Sequence, residues 1–481
     1  MSDKPLRIAV AGAQGFIGRA LIERLRGDAS FAVTALARSP RADLGVPARA
    51  CDLLRAEDAE RALSDIDVAV YLVHAMMPND RLVQASFRDL DLLAADNFGR
   101  AAARCGVRQI VYLGGLAPAD DSTPSEHLAS RIEVERALGS HKVPVTTLRA
   151  GLVFGPGGSS SRIVFNLARR LPVMVCPAWT ATPTQPIALD DVVTLLAGVL
   201  GRPETFGEAW DVAGPDTLTY RELMALAARE ARGHAPRMLS VPVLTPQLSA
   251  LWVSLVTGAP RALVKPLVGS LSHPMLVRDR RLQQRLGVPG KPIGAALSEA
   301  IRADVDAGTP RAFEAAARPP GPSRVRSIQR LSAPAGGRAR DVAERYFDWL
   351  GEAFAPVIEV RRVRGDVALA FRGLGPALLV LSPELLSSDR AVYRVAGGLL
   401  SARLELPRVE AGAPQAGTFE FREVLGGEAV LVAIADFVPR LPWWLYVSTQ
   451  AQAHRLVMAL FGHHLGAADR ASAAIQAPAT A

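Results

Sequence analysis

Three glycines at a fixed spacing carry the clearest chemical signal in the chain. They lie in the run Gly12-Ala13-Gln14-Gly15-Phe16-Ile17-Gly18, which follows an apolar stretch, Leu6–Ala11, and opens a helical pattern over Phe16–Leu25. Glycines let the backbone turn sharply and let a pyrophosphate come close. The first turn of the helix then presents N–H groups and the positive end of its dipole to that anion. Strand before and helix after is the context that separates such a loop from an ordinary glycine-rich turn. The next strand-like run, Phe31–Ala37, ends on Arg38-Ser39, with Arg41 just beyond. A carboxylate at this place accepts from a ribose 2′-hydroxyl, whereas an arginine suits a 2′-phosphate. Arg38 and Ser39 therefore point to NADP(H) and leave NAD(H) open.

Two histidines could move a proton near neutral pH. His74 ends the fourth strand-like run, and His127 opens a helical pattern that also carries Arg131. For His74 the reading as a hydrogen bond within the cofactor loop competes with that of a proton carrier. For His127 a plain polar helix start competes equally. Arg131 can hold hydroxyl groups but gives up no proton. No metal site is expected, because His463-His464 is an adjacent pair without acidic neighbours. Cys51, Cys105 and Cys176 form neither a disulfide framework nor a ligand set, which suits a reducing compartment.

The elements that must position these residues alternate in kind. Strand-like runs at Leu6–Ala11, Phe31–Ala37, Ala48–Cys51, Val68–Val73, Gln109–Gly114 and Val143–Leu148 are separated by helical patterns. These fall at Phe16–Leu25, Ala56–Leu63, Arg81–Cys105 and Ser125–Leu138. Apolar strands alternating with amphipathic helices predict a doubly wound parallel sheet of the α/β class. Residues 151–310 are irregular and apolar, with a strand at Ala209–Val212 and a helix opened by Thr217-Leu218-Thr219. They are read as the substrate side of a first domain, 1–310. A linker follows at 311–340, rich in Pro, Gly and Arg, with room for one strand at 325–331. Residues 341–465 then read as helix, several strands and a long last helix, Trp443–Phe461, with a hairpin at Gly426-Gly427-Glu428. That order fits an α+β helix-grip plan, whose curved sheet could enclose an apolar pocket or a filled core. Residues 466–481 read as a disordered tail.

The chain has 481 residues and a formal charge of +8, with 55 Lys and Arg against 47 Asp and Glu. The basic residues are almost all arginine and are interleaved with acids along the chain, so nucleic-acid binding is not expected. The N-terminus enters a strand at Leu6 without a separate apolar leader, and no apolar run is long enough to span a bilayer. A cytoplasmic protein is expected. One segment, 239–271, is apolar but broken by prolines, and it reads as a buried helical pair, a cap over an apolar substrate, or a peripheral contact with the inner membrane.

The GxxGxxG spacing and the strand series resemble the short-chain dehydrogenase/reductase superfamily, in particular its atypical, NmrA-like branch. Also similar are Cys51-Asp52-Leu53-Leu54, Tyr71-Leu72-Val73-His74, Asp96-Asn97, Val107–Leu116 and Leu148–Gly158. Longer stretches resemble bacterial YbjT-like NAD(P)-binding proteins related to an accessory subunit of respiratory complex I. In these a C-terminal domain of unknown function often follows; here the similar stretch is Phe419–Tyr446. The resemblance implies that Asp52 meets the adenine, that Leu53 packs on its ring, and that Val73 and His74 line the cofactor. Typical members use a serine at the end of the fifth strand and a Tyr-x-x-x-Lys pair on the next helix. Here the strand ends Tyr112-Leu113-Gly114-Gly115, and His127 and Arg131 stand where tyrosine and lysine are expected.

Two functions follow from that resemblance. One is an oxidoreductase acting on an apolar carbonyl or quinone-type compound, with His127 as proton carrier and Arg131 assisting. The other is a non-catalytic NAD(P)H binder, serving as a redox sensor or as a structural partner of a respiratory or biosynthetic complex. An apolar small molecule could occupy either domain.

Overall fold

A computed structural model describes residues 4–75, 83–117, 123–241, 245–306, 324–332, 337–401 and 417–476. The chain divides into two compact units, residues 1–77 with 91–315, and residues 78–90 with 316–481.

The first unit is built on seven strands: β1 (Leu6–Ala11), β2 (Phe31–Ala37), β3 (Ala48–Ala50), β4 (Val68–Tyr71), β5 (Gln109–Gly115), β6 (Val145–Ala150) and β7 (Ala209–Val212). Their order is β7-β6-β5-β4-β1-β2-β3, and every pairing is parallel. Parallel strands need crossovers, here α1 (Phe16–Leu25), α2 (Ala56–Leu63), α3 (Phe87–Arg104) and α4 (Glu126–Gly139). The inner strands read as nearly unbroken apolar runs because helices cover both faces; Ile8, Ala9, Val10, Val70, Ile110 and Val111 have no exposed surface. Strand order reverses between β1 and β4. In open α/β sheets the crevice beyond the strand ends at that switch point is where a ligand binds.

Residues 151–306 add a helical layer around Phe154, Phe165, Tyr220, Leu223 and Leu297. Helix Tyr220–Arg232 starts from a capping box, in which Thr219 and Glu222 satisfy each other's backbone N–H.

In the second unit seven strands form an antiparallel sheet. Their order is Ile358–Val363, Asp366–Phe371, Ala377–Leu386, Arg390–Gly397, Thr418–Val424, Ala429–Phe437 and Val325–Ser332. Helix Ala339–Ala353 and the long helix Gln450–Gln476 pack on it. Their interior is a cluster of rings, Tyr346, Phe347, Phe419, Phe421 and Phe461, with neighbouring centroids 5.0–6.4 Å apart. Of the two sequence-based alternatives, side chains occupying the space between sheet and helices is the one this cluster matches.

Four details differ from the sequence reading. The strand for which the linker 311–340 left room is present as Val325–Ser332, but it is hydrogen-bonded to Ala429–Phe437 as part of the second unit's sheet; residues 307–323 and 333–336 lie outside the described set. Residues 83–90, read as part of the first domain, belong to the second unit, where Val83–Gln84 adds a parallel edge strand beside Arg326–Ser327; residues 76–82 lie outside the described set. The helix read from Arg81 therefore begins at Phe87. Ser86 fixes that start, its hydroxyl bonding the Asp89 carboxylate and accepting from the Asp89 N–H. The tail read as disordered from 466 is helical to Gln476, since its alanines favour continuation of the helix from Gln450; residues 477–481 are not described.

Candidate functional site

The glycine loop is shaped by its own backbone. Gly12 has φ +82°, and a Cβ there would lie 2.8 Å from the Leu72 carbonyl oxygen. A Cβ on Gly18 would meet the Gly12 carbonyl oxygen at 2.3 Å, so helix α1 can pack down only with glycine there. Gly15 differs. It has an ordinary extended backbone, φ −75° and ψ 172°, and a Cβ there would touch only the Gly12 carbonyl, at 3.1 Å. Its N–H bonds the Gly12 carbonyl at 2.9 Å and closes the turn. Gly15 caps α1 without a side-chain bond, so Gly12 and Gly18 form the turn while Gly15 leaves room at the helix start. Ile17 packs beneath the loop against the core. Phe16 packs over the second glycine-rich loop, where a Cβ on Gly158 would meet its ring at 2.9 Å.

The neighbouring strand ends converge on this loop. The Gln14 amide donates to the Ser39 carbonyl at 2.8 Å, tying the glycine loop to the turn after β2. Arg38 and Ser39 are exposed there. The Cys51 N–H bonds the Ala37 carbonyl, placing Asp52 beside the same turn. The Asp52 carboxylate accepts from the Leu54 N–H at 3.2 Å, and the Leu53 carbonyl accepts from Asn97 at 2.8 Å. Leu72 hydrogen-bonds Ala11, so Val73 and His74 follow β4 at the strand ends where the sheet order reverses.

His74 and His127 meet. His74 Nε2 lies 3.1 Å from His127 Nδ1, and His74 Nδ1 lies 2.6 Å from Asp91 Oδ2. Asp91, in the second turn of α3, is 1% exposed. Its carboxylate also accepts from the Ala75 N–H at 2.7 Å and the Ser130 hydroxyl at 3.1 Å. Ser125 caps α4 through the Leu128 N–H, which sets His127 in the first turn. One turn on, Arg131 packs where a Cβ on Gly115 would touch its side chain at 3.5 Å. Its backbone carbonyl accepts from the buried Tyr112 hydroxyl, and its Nε is buried with no hydrogen-bond partner among the described residues. Such an orphaned donor fits a group that a bound ligand would satisfy.

The electrostatics favour neutral rings. Burial, with His74 and Arg131 nearby, pushes the His127 imidazole well below its ordinary value. Burial and Arg131 also lower His74, and the Asp91 hydrogen bond does not reverse this. With both rings neutral, Asp91 can only accept, so His74 carries its proton on Nδ1. Its bare Nε2 then accepts from Nδ1–H of His127, leaving Nε2 of His127 as the open end of the chain. Leu128, the residue after His127, is buried in an apolar cluster with Leu116 and Met275.

Residues 12–151 match the model of a family described as NAD(P)H-binding. Over that stretch the chain is similar to NAD(P)H-binding domains. Over 150 residues it is 34% identical to the auxiliary protein GraX of Staphylococcus aureus, covering 31% of this chain and 44% of that protein. It is 24% identical over 256 residues to the 40 kDa subunit of NADH-ubiquinone oxidoreductase from Neurospora crassa mitochondria, covering 50% and 66%. A ceramide reductase of Caulobacter vibrioides is 27% identical over 240 residues, covering 49% and 73%. The matched region thus spans less than two thirds of the first two relatives. A solved nucleoside-diphosphate-sugar epimerase from Staphylococcus aureus shares the fold at 16% identity, with a TM-score of 0.50 over 61% of this chain and all of that one.

The structure brings together His74, His127 and Arg131, and separately the glycine loop with Arg38 and Ser39. Sequence reasoning missed Asp91 and Ser130. The signal for Asp91 was a lone carboxylate inside the apolar run Leu90-Asp91-Leu92-Leu93, a placement that requires a polar partner. The three glycines should separate by experiment. Gly15→Val should keep a near-native circular dichroism spectrum, at a cost of about 1 kcal/mol, and lose the NADPH-induced rise in melting temperature. Gly18→Val should instead unfold the domain or cost about 3 kcal/mol. Retained NADPH stabilisation in Gly15→Val would place the nucleotide elsewhere.

Proposed function

We propose that this protein is an NADP(H)-dependent oxidoreductase that reduces an apolar carbonyl or quinone-type compound. The observation that carries the reading is the chain Asp91–His74–His127. When bound, the nicotinamide supplies the hydride. The residues of this chain handle the proton. One added proton makes His74 a cation paired with Asp91 and turns His127 to its Nε2–H form. Delivering that proton from Nε2 draws one from His74 into Nδ1 of His127 and restores the neutral chain. Arg131 holds ribose hydroxyls and, by its charge, keeps the loaded form acidic. An apolar substrate is supported by the relative named for ceramide reduction. Residues 239–271 would bring such a substrate from a membrane surface.

Arg38 supports NADP(H) over NAD(H), because it is exposed in a turn that Gln14 holds against the glycine loop.

The sign of the pH dependence follows from the depressed imidazoles. The proton-loaded chain is populated only as pH falls below the ordinary histidine value of 6.5. Proton-limited NADPH oxidation by an apolar quinone or aldehyde should therefore rise from pH 8 toward pH 5. Asp91→Asn should reduce it by about 100-fold or more and flatten that profile, with NADPH affinity unchanged. NADPH binding without turnover of any such compound would favour the non-catalytic reading.

Titration calorimetry checks the cofactor. NADPH should bind more tightly than NADH, and Arg38→Ala should remove about 1.5–3 kcal/mol of that difference. Equal affinities in the unaltered protein would overturn the role given to Arg38.

A further inference from the structure

Helix Pro246–Thr257 has two unlike faces. Ala250, Val253 and Thr257 are buried, packed with Ala259, Val264 and Val268 of the segment that follows. Leu248, Leu251 and Leu255 lie on the opposite side, at spacings of three and four residues that align them in one stripe. They are 54%, 45% and 82% exposed. Leu239, on strand Arg237–Val241, is 56% exposed, and Val173, on the parallel strand paired with it, is 43% exposed. Three large leucines aligned on one exposed helix face are more than the scattered exposure of an ordinary surface.

The segments that carry them lack acidic residues. No aspartate or glutamate occurs between Glu135 and Asp190, or between Glu230 and Asp279. Those two acid-free stretches supply the stripe, both strands and the helices Ser159–Arg170 and Arg261–Ser270. Their exposed cations include Arg169, Arg170, Arg237, Arg261 and Lys265. Arg170 also bonds the Val256 carbonyl of the leucine-bearing helix. On the neighbouring helix Tyr220–Arg232, Glu222 is bound to Thr219 and Glu230 to Ser298.

From these observations we infer that Leu248, Leu251 and Leu255, with the exposed arginines and Lys265 of these segments, form a docking face for an anionic lipid surface. The inference rests on the reading that residues 239–271 meet a membrane, and it adds which side chains enter and what charge they require. Leucines enter the boundary of headgroups and acyl chains while cations stay at the headgroups, the arrangement of interfacial helices. No described helix is long and apolar enough to cross a membrane, so the contact is peripheral. A symmetric second copy would set the same cations against each other. Single-stranded nucleic acid would need aromatic side chains for its bases to stack on, and the stripe is aliphatic.

The full chain, mixed with phosphatidylcholine vesicles or with phosphatidylcholine–phosphatidylglycerol vesicles, should sediment only with the anionic ones. Leu251→Ser with Leu255→Ser, and separately Arg169→Gln with Arg237→Gln and Lys265→Gln, should each weaken this by about tenfold or more. Melting temperature and NADPH affinity should not change. Equal sedimentation with both vesicle types would overturn the charge requirement while leaving the membrane reading intact. Sedimentation with neither would overturn both. Self-association of the soluble protein that Leu255→Ser abolishes would make the face an interface between copies.

Discussion

The buried Asp91 carboxylate is the constraint around which the site is arranged. A charge removed from water at this depth is tolerable only if its oxygens are taken by donors. The donors come from separate parts of the chain: the Ala75 N–H and the His74 ring after β4, and the Ser130 hydroxyl on α4. Satisfying the carboxylate therefore draws three elements together and sets the orientation of His74. His74 in turn holds His127, so one buried charge decides which ring nitrogen faces outward. A substitution that neutralises Asp91 would leave the fold's layers in place but release that orientation.

The glycine loop imposes a second, independent constraint, enforced by backbone contact instead of charge. Gly12 presses on the end of β4 and Gly18 on Gly12 itself, which fixes where α1 starts relative to β1. Because β1 and β4 are neighbours at the point where strand order reverses, the loop and the end of β4 that leads to His74 open at the same edge of the sheet. On the proposed function, the helix start would hold the pyrophosphate and the histidine pair would handle the proton at that one edge, and neither role depends on the missing serine, tyrosine and lysine.

Much of this was legible in the sequence, for a physical reason. Strands buried on both faces must be apolar throughout, so β1, β2 and the helices Phe16–Leu25 and Ala56–Leu63 show their full extent. The glycines declare a turn that other residues cannot make. Side-chain partnerships across α3 and α4 leave no such trace, because no local spacing links His74, Asp91 and His127. The helix read from Arg81 overruns the capping signature Ser86-Phe87-Arg88-Asp89, because the short run Arg81–Ala85 mixes polar and apolar residues and is too brief to contradict a longer helix. The edge strand Val83–Gln84 was invisible for a different reason. Two residues cannot display an alternating pattern, and its partner is more than two hundred positions away.

Ring-nitrogen NMR distinguishes a directed proton chain through His74 and His127 from two independent imidazoles. In ¹⁵N-labelled protein at neutral pH, both rings should be neutral, with the proton on Nδ1 and a bare Nε2. That is the less common tautomer of a free imidazole, and only the Asp91–His74–His127 arrangement enforces it twice in succession. Asp91→Asn should release both rings from it. If either ring carries its proton on Nε2 in the unaltered protein, or if both titrate near 6.5 as solvated histidines do, the chain does not exist as described.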